Sequence, residues 1–152
     1  VNLIFTLVAL SLVDKIGRKK LMLIGAGGLA LIYSVVGTLY FTGATGLPLL
    51  IFVVAAIACY AMTLAPVTWV VLSEIFPNKV RGAAMAAATF ALWTGNALLA
   101  YFFPIINNKA GASGSFWIFA LICVAGFFYI KARLIETKGK SLEEIEKERL
   151  KS

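Results

Sequence analysis

The sequence predicts an all-α membrane protein: a polytopic bundle whose helices cross a bilayer. Three observations carry that prediction. The 152 residues are 61% hydrophobic with a mean hydropathy of +0.94, well above the mix of a soluble domain. The apolar stretches are long enough to be helices, and open strands could not satisfy their backbone groups in hydrocarbon. The charged residues, only 14% of the chain, gather at the ends of those stretches.

Five apolar stretches follow one another. The first, 1–13, covers about 20 Å at 1.5 Å per residue, too short for a hydrocarbon core of about 30 Å. It reads as the second half of a helix that begins earlier, which makes the chain a piece of a longer one. The second is Leu21–Phe41. The third, Leu47–Leu72, opens with Pro48 in its first turn, where a missing N–H costs little. The fourth is Ala83–Ile106, with Pro104 near its end, and the fifth Ser115–Ile130. The membrane region is thus 1–135, and 136–152 forms a separate tail. There Ser141-Leu-Glu-Glu144 has capping-box spacing and Glu143 precedes Lys147 by one turn, so a short helix is expected over Leu142–Leu150. A solvated helix without a role is an equally good reading of that tail.

The connections alternate in character. Asp14–Lys20 carries Lys15, Arg18, Lys19 and Lys20; 42–46 carries no charge; Phe76–Gly82 carries Lys79 and Arg81; Asn107–Gly114 carries only Lys109. If every stretch crosses, thirteen of the fourteen basic residues fall on one side. The positive-inside rule then puts 14–20, 76–82 and the C-terminus in the cytoplasm of a multi-pass cell-membrane protein. The net charge of +7 is therefore an address relative to the bilayer and not a nucleic-acid surface. Cys59 and Cys123 lie inside apolar runs, and there is no His. No metal site, cofactor or disulfide framework is expected. With no phosphate loop and no paired acids at a shared pocket, an enzyme is excluded. Gly25-Ala-Gly-Gly28 lies within a span, where small residues let helices approach closely.

A few residues do not belong in oil without a reason. Pro66 removes a helical hydrogen bond and crowds the carbonyl of Met62, at about 3 kcal/mol. Interrupted helices build transport sites near the midplane, although a packing kink is the commoner outcome. Trp69 lies one turn below Pro66 and too deep for an interfacial belt; its indole offers a flat apolar face and one N–H donor, which suits the C–H face of a sugar ring. Trp93 is similarly deep. Asn96 follows on the same face, where an amide needs a partner, either a solute or a neighbouring helix. Glu74 and Arg81 flank the Pro77 turn and can approach across it; Asp14 and Arg18 form the corresponding pair at the first charged turn. Topological anchoring explains the cations but not Glu74 or Asp14, because acidic residues add nothing to the positive-inside bias.

Asp14-Lys-Ile-Gly-Arg-Lys-Lys20 resembles the D-R-x-G-R-R/K loop of the major facilitator superfamily. Pro66-Val-Thr-Trp-Val-Val-Leu-Ser-Glu-Ile-Phe-Pro77 with Arg81-Gly82 is similar to the narrower P-x-x-W-x-x-x-S-E-[IL]-F-P…R-G signature of the sugar porters, and Glu136-Thr-Lys-Gly139 to their P-E-T-K-G. The resemblance implies the last five helices of a twelve-helix carrier that moves a monosaccharide, hexose or pentose, by alternating access. Asn2, Trp69 and Trp93 match sugar-facing positions, with Asn96 beside them. Asp14, Arg18, Glu74 and Arg81 match a cytoplasmic charge cluster expected to hold the inner side shut. The implied partners are a sugar, the lipid bilayer, the missing N-terminal half with the seventh helix, and, in a symporter, protons. The half that would carry the coupling acid lies outside the chain. Leu92, Ala65, Ile135 and Ala61 depart from the family pattern, which bears on the sugar more than on the family. Competing readings are a non-transporting membrane remnant, a carrier for another small polyol, and a multidrug exporter; the last fits Asp14–Lys20 but not Ser73–Pro77.

Overall fold

The computed structural model has helices joined by short turns and no strand among its described residues, which are 2–44, 46–76, 79–134 and Gly139; for Asn2, Leu3, Leu7, Val8, Leu10 and Asp14 only the backbone is described. The helices are α1 (Asn2–Ile16), α2 (Arg18–Phe41), α3 (Leu47–Met62), α4 (Leu64–Ile75) and α5 (Arg81–Arg133). Three helical stretches are long and apolar enough to cross a membrane: Arg18–Phe41, Leu47–Ile75 and Arg81–Arg133. A shorter apolar helix covers Ile4–Val13. The tail helix expected over Leu142–Leu150, and the 136–152 segment apart from Gly139, lie outside the described residues.

The boundaries differ instructively from the sequence reading. The connection expected over Asp14–Lys20 shrinks to Gly17, at φ 99°, with helix on either side. Its basic residues are therefore helix ends and not loop residues. The third stretch splits at Thr63 into α3 and α4. The connection expected over Asn107–Gly114 narrows to Gly111, the non-helical residue inside α5 at φ 69°, ψ 177°. Side-chain-bearing residues essentially never adopt that backbone region, so one glycine does the work expected of a loop. Ser115, only 1% exposed, donates its hydroxyl to the Gly111 carbonyl at 3.0 Å and holds the break.

Gly111 folds α5 back on itself. Phe103 and Phe119, on its two arms (81–110 and 112–133), stack with ring centroids 5.8 Å apart; along an unbroken helix these residues would be about 24 Å apart. The second arm lies antiparallel to α2. A Cβ at Gly37 would run into the Trp117 indole, whereas one at Gly27 would meet Phe127 at 3.7 Å. Tyr33 and Tyr40 pack on Phe116, and Phe41 on Trp117. On its other flank α2 runs antiparallel to α3, with Gly28 close to the Cys59 sulfur and Gly25 close to Thr63. Small residues along α2 thus admit neighbours on both sides, which is how helices associate where no hydrophobic drive favours protein over lipid. Hydroxyls in the apolar spans bond their own helix: Ser34 to the Ala30 carbonyl at 2.7 Å, Thr38 to Ser34 at 2.8 Å and Thr68 to Leu64 at 2.7 Å.

At one end of the bundle Val13 of α1, Leu21 of α2, and Val67 and Val71 of α4 form a buried cluster, with Leu12, Ile16, Ile75 and Leu134 against it. Leu134 brings the end of α5 to the same end as Arg18 and Glu74. The basic residues of three chain segments thereby converge at one end, and Gly111 and the turn at Thr42 and Gly43 stand at the other.

Candidate transport pathway

The site grows from the break at Thr63. Pro66 has no N–H to offer Met62, four residues back, and α3 stops at Met62. Thr63 takes φ −120°, ψ −75°, and its N–H reaches only the Tyr60 carbonyl, at 3.3 Å. Its hydroxyl turns to the Cys59 carbonyl at 2.6 Å, so this residue, 4% exposed, keeps its polar groups satisfied.

From the break, α4 is held to α2 along its whole length. Thr63 sits on Gly25 at the top, Val67 and Val71 pack with Leu21 in the middle, and Glu74 meets Arg18 at the bottom. Arg18 Nη2 donates to Glu74 Oε1 at 3.1 Å, with the two side chains 16% and 26% exposed. Trp69 lies two residues from both Val67 and Val71, so helical geometry turns it to the opposite face. There it is 44% exposed.

Glu74 and Arg81, which the sequence suggests as a pair across the Pro77 turn, are not joined by a hydrogen bond among the described residues. Glu74 is tied to Arg18, 56 positions away, across two helices. Arg81 instead donates Nε to the Phe76 carbonyl at 3.3 Å; its Nη2 is buried and has no hydrogen-bond partner among the described residues. Asp14 lies in the last turns of α1, beside Gly17 and Arg18, with its side chain outside the described residues. Pro77 is also outside them.

Trp93 and Asn96 stand on the first arm of α5, Trp93 at 59% exposure and Asn96 exposed, as are all residues from Ala91 to Ile105. No ring contact or hydrogen bond among the described residues joins Trp69, Trp93 and Asn96. Asn2 opens α1; its side chain is outside the described residues. The structure therefore assembles the charged end and the α4 support, and leaves the aromatic and amide positions on open faces. A cavity of about 250 Å³ between α2, α3 and the second arm of α5 is lined by Tyr33, Val36, Ala56, Tyr60 and Phe116 among others. None of the residues named from sequence lines it. Gly25 and Thr63 are what the sequence reading passed over: Gly25 as part of a packing run, Thr63 not at all. The proximity of Thr63 to Pro66 was the available signal.

The family model for the sugar (and other) transporter family matches residues 1–148. The chain belongs to that family, the sugar porters of the major facilitator superfamily. Among these sugar transporters it is 40% identical to the arabinose-proton symporter of Bacillus subtilis (strain 168) over 148 residues, which is 97% of this chain and 32% of that protein. It is 40% identical to the D-xylose-proton symporter of Escherichia coli (strain K12), over 96% of this chain and 31% of that one. The glucose facilitated diffusion protein of Zymomonas mobilis is 38% identical, with 96% and 32% covered. The inward-open structure of the xylose transporter XylE from E. coli superposes with a TM-score of 0.90 at 41% identity, over 96% of this chain and 33% of that chain. The chain thus spans about a third of the length of the relatives it matches. The chain therefore belongs to a family of transporters.

Proposed function

We propose that this chain forms part of a carrier that moves a monosaccharide, a hexose or a pentose, across a cell membrane by alternating access. The single observation that carries the reading is the placement of Trp69. It stands on the free face of a short, separately supported helix below a helix break, while the other face of that helix is bound to α2 from Thr63 to Glu74. An exposed indole there offers a stacking surface for the C–H face of a sugar. Trp93, Asn96 and Asn2 add a second aromatic and amide hydrogen bonds. A site of such amides rejects analogues that lack a hydroxyl.

In this reading the chain crosses the bilayer with part of α1, with α2, with α3 and α4 together, and with each arm of α5. The charged end, with 14–20, 76–82 and the C-terminus, faces the cytoplasm under the positive-inside rule. The open faces bearing Trp69 and, on α5, Trp93 and Asn96 turn to helices of the other two thirds of the carrier, across a central pathway. Arg18 and Glu74, with Asp14 and Arg81, hold the cytoplasmic end closed in one state and separate in the other. The named relatives include symporters and a facilitated-diffusion protein, so the test must address coupling.

The experiment is uptake of labelled D-xylose, L-arabinose and D-glucose by the full-length carrier, with and without a pH gradient. Saturable uptake of at least one sugar is expected. Trp69→Ala should raise KM about tenfold, Trp69→Phe much less, and Asn2→Ala should weaken affinity. Carrier that reaches the membrane yet moves none of these sugars above a vector control would refute the reading.

A further inference from the structure

We infer that Gly25 of α2 and Thr63 at the α3–α4 break are positioning residues: their close contact sets the angle at which α4, and with it Trp69 and Glu74, leaves α3.

The contact leaves no room for adjustment. A Cβ at Gly25 would overlap Thr63 Oγ1, lie 2.7 Å from Thr63 Cβ and 3.1 Å from Leu64 Cγ. Gly25 and Thr63 are both buried. The residues before and after the break are therefore seated on one spot of the α2 backbone. The same spot carries a second tether, since Cys59 places its sulfur 3.9 Å from the Gly25 carbonyl and its own carbonyl accepts the Thr63 hydroxyl. Thr63 lacks the hydrogen bonding of a continuous helix, and its bend is not dictated by its own helix alone. Pro66 frees the helix at this point, and the α2 surface beneath sets the direction in which α4 then leaves. Below the contact, Val67 and Val71 on Leu21 and Glu74 on Arg18 follow in register. Gly25 and Arg18 lie two helical turns apart, about 10 Å along α2, and form the upper and lower ends of the α2–α4 seam.

A side chain at Gly25 would push the break away from α2 while leaving the sequence of α4, Trp69 included, untouched. The consequence for transport rests on the sugar-site reading above; the geometric inference does not. The two are separated by measuring both geometry and uptake in the full-length carrier. Nitroxide labels at Leu47→Cys and Lys79→Cys, both exposed and on opposite sides of the break, report the bend in a background with Cys59→Ser, which keeps a donor for the Gly25 carbonyl, and Cys123→Ala. Gly25→Ala should shift the label–label distance, and the swap Gly25→Ala with Thr63→Gly should return it toward the starting value. Sugar KM should follow the same pattern, rising about tenfold and recovering, with a smaller change in Vmax. If Gly25→Ala fails to reach the membrane, Thr63→Val tests the seat at near-constant volume; loss of the hydroxyl bond should broaden the distance distribution. An unchanged distance in Gly25→Ala, or an unchanged distribution in Thr63→Val, overturns the inference. A distance that shifts and is rescued while sugar KM stays constant upholds the positioning role and refutes Trp69 as a sugar contact.

Discussion

Arg18 and Glu74 sit at the wrong ends of their own helices and at the right ends of each other's. Arg18 begins α2 and Glu74 lies in the last turn of α4, where each charge opposes its own helix dipole. Because the helices are antiparallel, Arg18 reaches the carbonyl-rich end of α4 and Glu74 the amide-rich end of α2, and the two meet at 3.1 Å. The pair therefore offsets two unfavourable placements at once. It is also only partly buried, at 16% and 26% exposure, so the desolvation penalty of a deep ion pair is moderated.

Neutralising either member should lower the melting temperature of the purified carrier in detergent. Glu74→Gln and Arg18→Gln should each cost about 1–2 kcal/mol, and a double-mutant cycle should show that their effects are not additive. Strict additivity would show that the contact contributes nothing of its own.

Gly37 has no space for a side chain, because Trp117 Nε1 would lie 2.6 Å and the Ser113 carbonyl 3.1 Å from an added Cβ. Gly37→Ala should destabilise by about 1–3 kcal/mol through overpacking between α2 and α5. Trp117→Leu in the same molecule should restore part of that loss. Thermal unfolding followed by scanning fluorimetry would measure both.

Gly111 poses the converse case. Nothing but Ser113 Oγ, at 4.0 Å, approaches an added Cβ, yet the backbone stands at φ 69°, ψ 177°. Gly111→Ala should therefore destabilise by about 1–3 kcal/mol through backbone strain alone. Asn should do no better, since the ψ value lies outside the left-handed helical region that Asn tolerates. A melting temperature equal to wild type for Gly111→Ala would contradict this account.

The membrane sidedness can be read by labelling single cysteines with a membrane-impermeant maleimide in intact cells, in a background freed of Cys59 and Cys123. Lys109→Cys, near the Gly111 end, should label from outside; Lys19→Cys and Lys131→Cys should label only after permeabilisation. The reverse pattern would invert the topology.

The sequence alone established an apolar, helical chain with its cations gathered at helix ends, and the Pro66–Gly82 signature was enough for the family. Those properties are local: helix periodicity, hydropathy and motif spacing need no knowledge of neighbours. Element ends were less legible. The breaks at Gly17 and Gly111 are single residues, so the composition of the surrounding segment does not reveal them, whereas Pro66 signals a break near Thr63. Only the folded chain decided which charge pairs with which. Arg18 is 56 positions from Glu74, whereas Arg81 is close in sequence and turns instead to a backbone carbonyl. The seat of Thr63 on Gly25 was likewise invisible, because close approach depends on two helices crossing at one place, and no spacing along either helix encodes where the other will lie.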